Sequence, residues 1–93
     1  MAFDPLFTLG RVVTTSCALQ RLDANGIDSF ELVIRHVTGD WGELSDEDQE
    51  ANARAVLEGL RILSSYPMPD GTKVWVITEA DRSLTTFLCP NDY

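Results

Sequence analysis

The sequence predicts an α+β fold, with two to three N-terminal helices packed on a small antiparallel sheet that ends in a C-terminal three-strand meander. Three observations lead there. Apolar residues recur at helical spacing through the first two thirds of the chain, hydroxyl and acidic residues stand where helix N-caps belong, and from Arg61 onward the pattern changes to strand-like runs broken by tight-turn residues. Helices placed before strands that are joined by short turns make the layout of an α+β domain.

Phe7 to Thr15 is rich in β-branched residues and predicts a short strand or extended arm. Thr15 or Ser16 then caps a first helix to about Ala24, with Ala18, Leu19 and Leu22 on one face and Asn25-Gly26 as its stop. Asp28 opens a second helix as a capping-box variant with Glu31. Phe30, Val33, Ile34 and Val37 follow at i, i+3, i+4 and i+7, the spacing of a single buried stripe. That helix ends at Thr38-Gly39, which puts His36 in a last turn where the helix C-terminus favours its protonated form. Ser45 caps a third helix, with Asp46, Glu47 and Asp48 in the first turn, Ala51, Ala55 and Val56 facing inward, and Gly59 as the stop. Three strands close the chain: Arg61–Tyr66, Lys73–Glu79 after a turn tipped by Asp70-Gly71, and Leu84–Cys89 after Ala80–Ser83.

With 93 residues, the chain is expected to be a single domain over 1–93, compact from about Phe7 to Pro90 and near the lower limit for a core without staples. Cys17 and Cys89 lie among apolar neighbours at opposite ends and are expected to be two buried free thiols. The opening Met1-Ala2-Phe3-Asp4-Pro5 lacks the basic start of a secretory signal, and no apolar run approaches a membrane span, so a cytoplasmic protein with no membrane partner is expected. A net charge of −8 with only seven Lys and Arg argues against direct nucleic-acid binding and for a basic partner.

His36 to Glu43 gathers the only histidine, one of two tryptophans and a Gly-x-x-Gly frame. His36 and Asp40 stand four apart, yet no further histidine or cysteine completes a zinc set, so neither a metal nor a cofactor is expected. The plain reading of His36 is a helix-end residue bonded to a backbone carbonyl or to Asp40. Gly39-Asp40-Trp41-Gly42 lacks the lysine and the strand-to-helix setting of a phosphate loop. Between Asp40 and Glu50 stand Asp40, Glu43, Asp46, Glu47, Asp48 and Glu50 with no Lys or Arg among them. Helix capping accounts for part of that run. The two glycines allow a tight turn from which Trp41 folds back as a plug over the core, whereas an exposed Trp41 amid these acids would make it a hot spot for a basic surface.

His36-Val37-Thr38-Gly39-Asp40-Trp41-Gly42, Arg61-Ile62-Leu63-Ser64-Ser65-Tyr66 and Trp75-Val76-Ile77-Thr78-Glu79-Ala80-Asp81-Arg82-Ser83, with Thr85-Thr86 and a terminal Tyr93, resemble a group of small bacterial proteins encoded on plasmids and integrated mobile elements. Its members are labelled plasmid-related proteins and sometimes type I restriction subunits. The likeness runs from about Leu9 to the end, with Cys89 standing where an aliphatic residue is expected. It implies a mobile-element context, in which small acidic inhibitors of CRISPR or restriction systems are common, and it transfers no catalytic residue.

The leading expectation is therefore a non-enzymatic anti-CRISPR or anti-restriction protein that presents Asp40, Trp41, Glu43, Asp46, Glu47, Asp48 and Glu50 to a basic nucleic-acid-binding complex of the host. A second reading is a metal-independent ribonuclease-like toxin using His36 and Arg82 with Tyr66, Ser64 and Thr85. A third is an accessory regulator of the mobile element. A homodimer paired through the sheet edge at Leu84 to Cys89 stays open.

Overall fold

Single side chains decide where each helix begins. In a computed structural model of the protein, which describes residues 4–93, the Thr15 hydroxyl accepts from the Ala18 amide and opens α1 (Ser16–Asn25). Asp28 accepts from the Phe30 amide to open α2 (Ser29–Thr38), and Ser45 accepts from the Asp48 amide to open α3 (Asp46–Glu58). Each acceptor satisfies an N–H that a first helical turn leaves without a partner. The expected stops hold at Gly26, Gly39 and Gly59.

The three-strand meander is present as β2 (Ile62–Pro67), β3 (Lys73–Thr78) and β4 (Leu84–Leu88), each antiparallel to the next. The N-terminal extended stretch supplies β1 (Arg11–Thr14), which pairs parallel to β4 and completes the order β1-β4-β3-β2. The sheet is thus mixed, not purely antiparallel. A parallel partner needs a long connection, and here the three helices with β2 and β3 provide it. β4 lies between β1 and β3, so it offers no free edge for a dimer.

The alternation of the strands sorts the side chains by face. Ser64, Tyr66, Val74, Val76 and Phe87 point toward α1 and α2, where Ala18, Leu22 and Leu32 meet them in the main apolar cluster. A second cluster joins Trp41, Ala55 and Ile62 beneath α3. Leu63, Ser65, Trp75, Ile77, Thr86 and Leu88 occupy the opposite face. There the 3-10 turn Pro90–Asp92 brings Tyr93 edge-on to Trp75, with ring centroids 6.0 Å apart.

Two helices are rotated from the expected facing. On α2 the buried residues are Leu32, His36 and Val37, while Phe30 is 63% exposed. His36 belongs to the inward stripe, and a polar residue there hides the true phase from an apolar count. Leu19 of α1 is likewise exposed. On α3, Asn52 turns inward with Ala55, and Ala51 is exposed. The Asn52 carboxamide donates to the Leu63 carbonyl at 2.7 Å and accepts from the Leu63 amide at 3.2 Å, closing part of the outer edge of β2.

The cysteines also depart from expectation, since Cys17 and Cys89 form a disulfide, with Cα atoms 6.0 Å apart. Pairing of β1 with β4 carries the first turn of α1 to the end of β4, a juxtaposition that 72 residues of sequence separation conceals. No helix among the described residues is long and apolar enough to cross a membrane. The expectation drawn from the opening Met1 to Phe3 lies outside the described residues.

Gly42 completes the closure of β2. It forms a parallel bridge with Ser65, flanked by Glu43 N–H donating to the Ser65 carbonyl at 2.7 Å and Ser65 N–H donating to the Trp41 carbonyl at 3.0 Å. Its φ is +77°, and a Cβ there would collide with the Ser65 carbonyl oxygen. Gly42→Ala should therefore cost about 2 kcal/mol in denaturant unfolding. Gly26→Ala shares the positive φ but has open space around it, and should cost about half as much. Equal midpoints for the two variants would refute the close approach at Gly42.

Candidate functional site

The stretch from His36 to Glu43 divides between interior and surface. α2 carries His36 inward until none of it is exposed, and its ring becomes the centre of a polar chain crossing the sheet. Nδ1 lies 2.5 Å from Ser64 Oγ on β2, and Nε2 lies 2.9 Å from Thr78 Oγ1 on β3. Thr78 Oγ1 is 2.7 Å from Thr85 Oγ1, which itself bonds to the Leu9 carbonyl at 2.8 Å.

One proton order satisfies the chain. The Leu9 oxygen can only accept, so Thr85 spends its hydroxyl hydrogen there and accepts from Thr78. Thr78 must then accept from Nε2–H, which leaves Nδ1 to accept from Ser64. The chain thus runs Ser64 to His36 to Thr78 to Thr85 to Leu9 with a neutral imidazole. Burial agrees, since loss of solvation lowers the His36 pKa to about 4. The expected helix-terminus effect in favour of the cation is overridden. Phe7 closes over the ring edge-on at 5.2 Å.

These facts remove the basis of the ribonuclease-like reading. His36, Ser64, Tyr66 and Thr85 are buried on the helix-covered face, out of reach of a phosphodiester. Arg82 is committed to the fold as well: its guanidinium donates to the carbonyls of Leu60 at 2.6 Å and Ala55 at 2.9 Å at the end of α3, and to that of Glu79 at 3.1 Å. A cation at a helix C-terminus is favoured by the negative end of the helix dipole.

His36 and Asp40 do not pair. Asp40 accepts from Arg35 at 2.7 Å, and the Arg35 guanidinium beside it holds its carboxyl below the usual carboxylate range. Arg35 also lies 4.6 Å from the centroid of Tyr66, whose hydroxyl donates to the Asp40 carbonyl at 2.6 Å. Burial raises the Tyr66 pKa, so that hydroxyl stays a donor. Among the described residues, Cys17, Cys89 and Asp92 place metal-capable atoms within 4.8 Å of one another, but the disulfide leaves neither sulfur as a thiolate.

Trp41 turns into the molecule. It is 7% exposed and packs on Ala55 and Ile62, and its indole N–H donates to the His36 carbonyl at 3.1 Å. It is a core residue and offers no hot spot to a partner. The acidic run is also less uniform than its spacing implies, because Asp40 is paired with Arg35 and Glu43 with Lys73 at 3.0 Å. Asp46, Glu47, Asp48 and Glu50 are exposed, with no ion pair among the described residues.

The aromatic that does accompany the acids is Trp75. An open groove of about 330 Å³ runs from the start of α3 onto the sheet face opposite α1 and α2, lined by Glu43, Ser45, Asp48, Lys73 and Trp75 together with Leu63 and Ser65. Sequence reasoning missed Trp75, although the alternation of β3 carried the signal. Val74 and Val76 are fully buried, so Trp75 between them points the other way. No protein family, characterised protein or solved structure matches the chain.

Proposed function

We propose that the protein is a non-enzymatic inhibitor of a host defence complex, of the anti-CRISPR or anti-restriction kind, acting through its acidic surface on a basic nucleic-acid-binding site. One observation carries the reading: Asp46, Glu47, Asp48 and Glu50 leave one end of α3 together, exposed and without internal cations among the described residues. Closely spaced carboxylates meet a phosphate-binding surface with complementary potential, which speeds encounter and excludes acidic partners. Trp75 in the adjoining groove adds a half-buried aromatic against which a partner arginine can stack. The same reading places the protein in the cytoplasm, where such effectors work. The resemblance to small proteins of mobile elements gives it a biological setting.

Immobilised protein should retain a basic multi-subunit nuclease from a host that carries defence systems, and the binding should weaken steeply with salt. Asp46→Lys, Glu47→Lys and Asp48→Lys together should reduce that affinity by roughly a hundredfold or more, since each reversal replaces an attraction with a repulsion. Ser45 remains as the helix cap, so the far-ultraviolet dichroism should be unchanged. Full inhibition by the triple variant would rule the reading out.

A further inference from the structure

The two edges of the sheet are treated differently. At β2 the outer edge is closed by the Gly42 bridge and by Asn52, which together occupy the backbone groups of Leu63 and Ser65. At β1, among the described residues, no hydrogen bond outside the sheet reaches the outward backbone groups. The amide of Arg11 donates to the Ser83 carbonyl at 3.0 Å and that of Thr15 to the Phe87 carbonyl at 2.9 Å. The two-residue repeat of a strand therefore turns the backbone of Arg11, Val13 and Thr15 toward β4 and that of Val12 and Thr14 outward. Both outward residues are exposed, and Val12 is 44% exposed despite its apolar side chain. The edge is short and carries one charge, Arg11, but holds no proline or bulge between Arg11 and Thr14.

We propose that β1 pairs antiparallel with β1 of a second copy of this chain, joining two four-stranded sheets into one. A second copy of the same strand fits the spacing of the outward groups. With Val13 on the two-fold axis, Val12 of each copy exchanges both backbone hydrogen bonds with Thr14 of the other, so every outward N–H and C=O finds a partner. Charge agrees with that register. Arg11, which has no ion pair among the described residues, comes to lie across from Thr15 of the second copy. The Thr15 hydroxyl donates to Asp92 at 2.8 Å, so the Arg11 cation meets an acidic site and not its own image. The pairing leaves the acidic end of α3 free, because that end borders β2 at the far side of the sheet.

Sedimentation equilibrium over a concentration series should show the mass rising from 10.3 kDa toward twice that value. Val12→Pro removes an outward N–H while sparing the bonds to β4, and should hold the protein at the monomer mass with its circular dichroism retained. Arg11→Glu should weaken the dimer in the same direction. Should the proline variant fail to fold, cross-linking decides. The native cysteines are already bonded to each other, so Val13→Cys should form an intermolecular disulfide under mild oxidation, and Val12→Cys should form far less. A monomer at every concentration would overturn the proposal and leave the edge to a strand of another protein. A dimer in which Val12→Cys cross-links as readily as Val13→Cys would overturn it too.

Discussion

Reduction of the Cys17–Cys89 disulfide should lower the unfolding free energy by about 4 kcal/mol, the chain-entropy effect of a closed loop of about 70 residues. The loop spans nearly every element from α1 to β4, so its closure restricts almost the whole unfolded chain. For a domain of this size, with a total stability of roughly 5–15 kcal/mol, the loss is a large fraction. The melting temperature should fall by roughly 15–30 °C. Thermal unfolding with and without reductant measures it, after equilibration in denaturant so that the buried Cys89 sulfur can react. Cys17→Ser with Cys89→Ser should reproduce the reduced protein and lose all sensitivity to reductant. A wild-type midpoint that ignores reduction would show that the disulfide does not hold the native protein together.

That disulfide marks the limit of what was legible in the sequence. Helix starts at Thr15, Asp28 and Ser45 could be read because a cap is local chemistry, decided within three residues. The meander could be read because its turns are short. The parallel pairing of β1 with β4 could not, since it joins Arg11 to Leu84 across the whole chain, and both the disulfide and the free sheet edge follow from it. The site shows the same division. The acids and their helix were visible, but Arg35 reaches Asp40 only because the chain turns back at Gly39, and Lys73 reaches Glu43 through a tertiary contact that spacing does not reveal. Trp41 takes the core position that its glycine-framed turn allows and not the partner contact, while Trp75, to which no role was assigned, reaches the groove. A tryptophan beside acids in sequence goes to the core, and one within an apolar strand goes to the surface groove, because strand alternation outranks sequence proximity.

Acidification should destabilise the protein well before its carboxylates protonate, and His36 is the cause. Its pKa is about 4 in the folded state, where burial penalises the cation, against about 6.5 in an unfolded chain. The sign follows from which state binds the proton. Above about pH 7 the imidazole is neutral in both states and contributes nothing to the pH dependence; as pH falls through 6.5 the unfolded chain takes up a proton that the native ring refuses, and stability drops until the folded pKa near 4 is reached. The total loss is about 3 kcal/mol, at 1.36 kcal/mol per pH unit of difference, and no solvent discount applies to a ring with no exposed surface. Between pH 6 and 5 the unfolding free energy should therefore fall with the slope of about one proton. Asp40, Asp70, Asp81 and Asp92, whose pKa values are lowered by hydrogen bonds, destabilise on protonation only at more acid pH. Urea titrations across this window, compared with His36→Gln, separate the causes. The glutamine variant keeps a donor and an acceptor for Ser64 and Thr78 but cannot titrate, so its stability should be lower at pH 7 and nearly flat down to pH 5. An equal slope in the two proteins would place the proton uptake elsewhere and refute the neutral, chain-bonded imidazole.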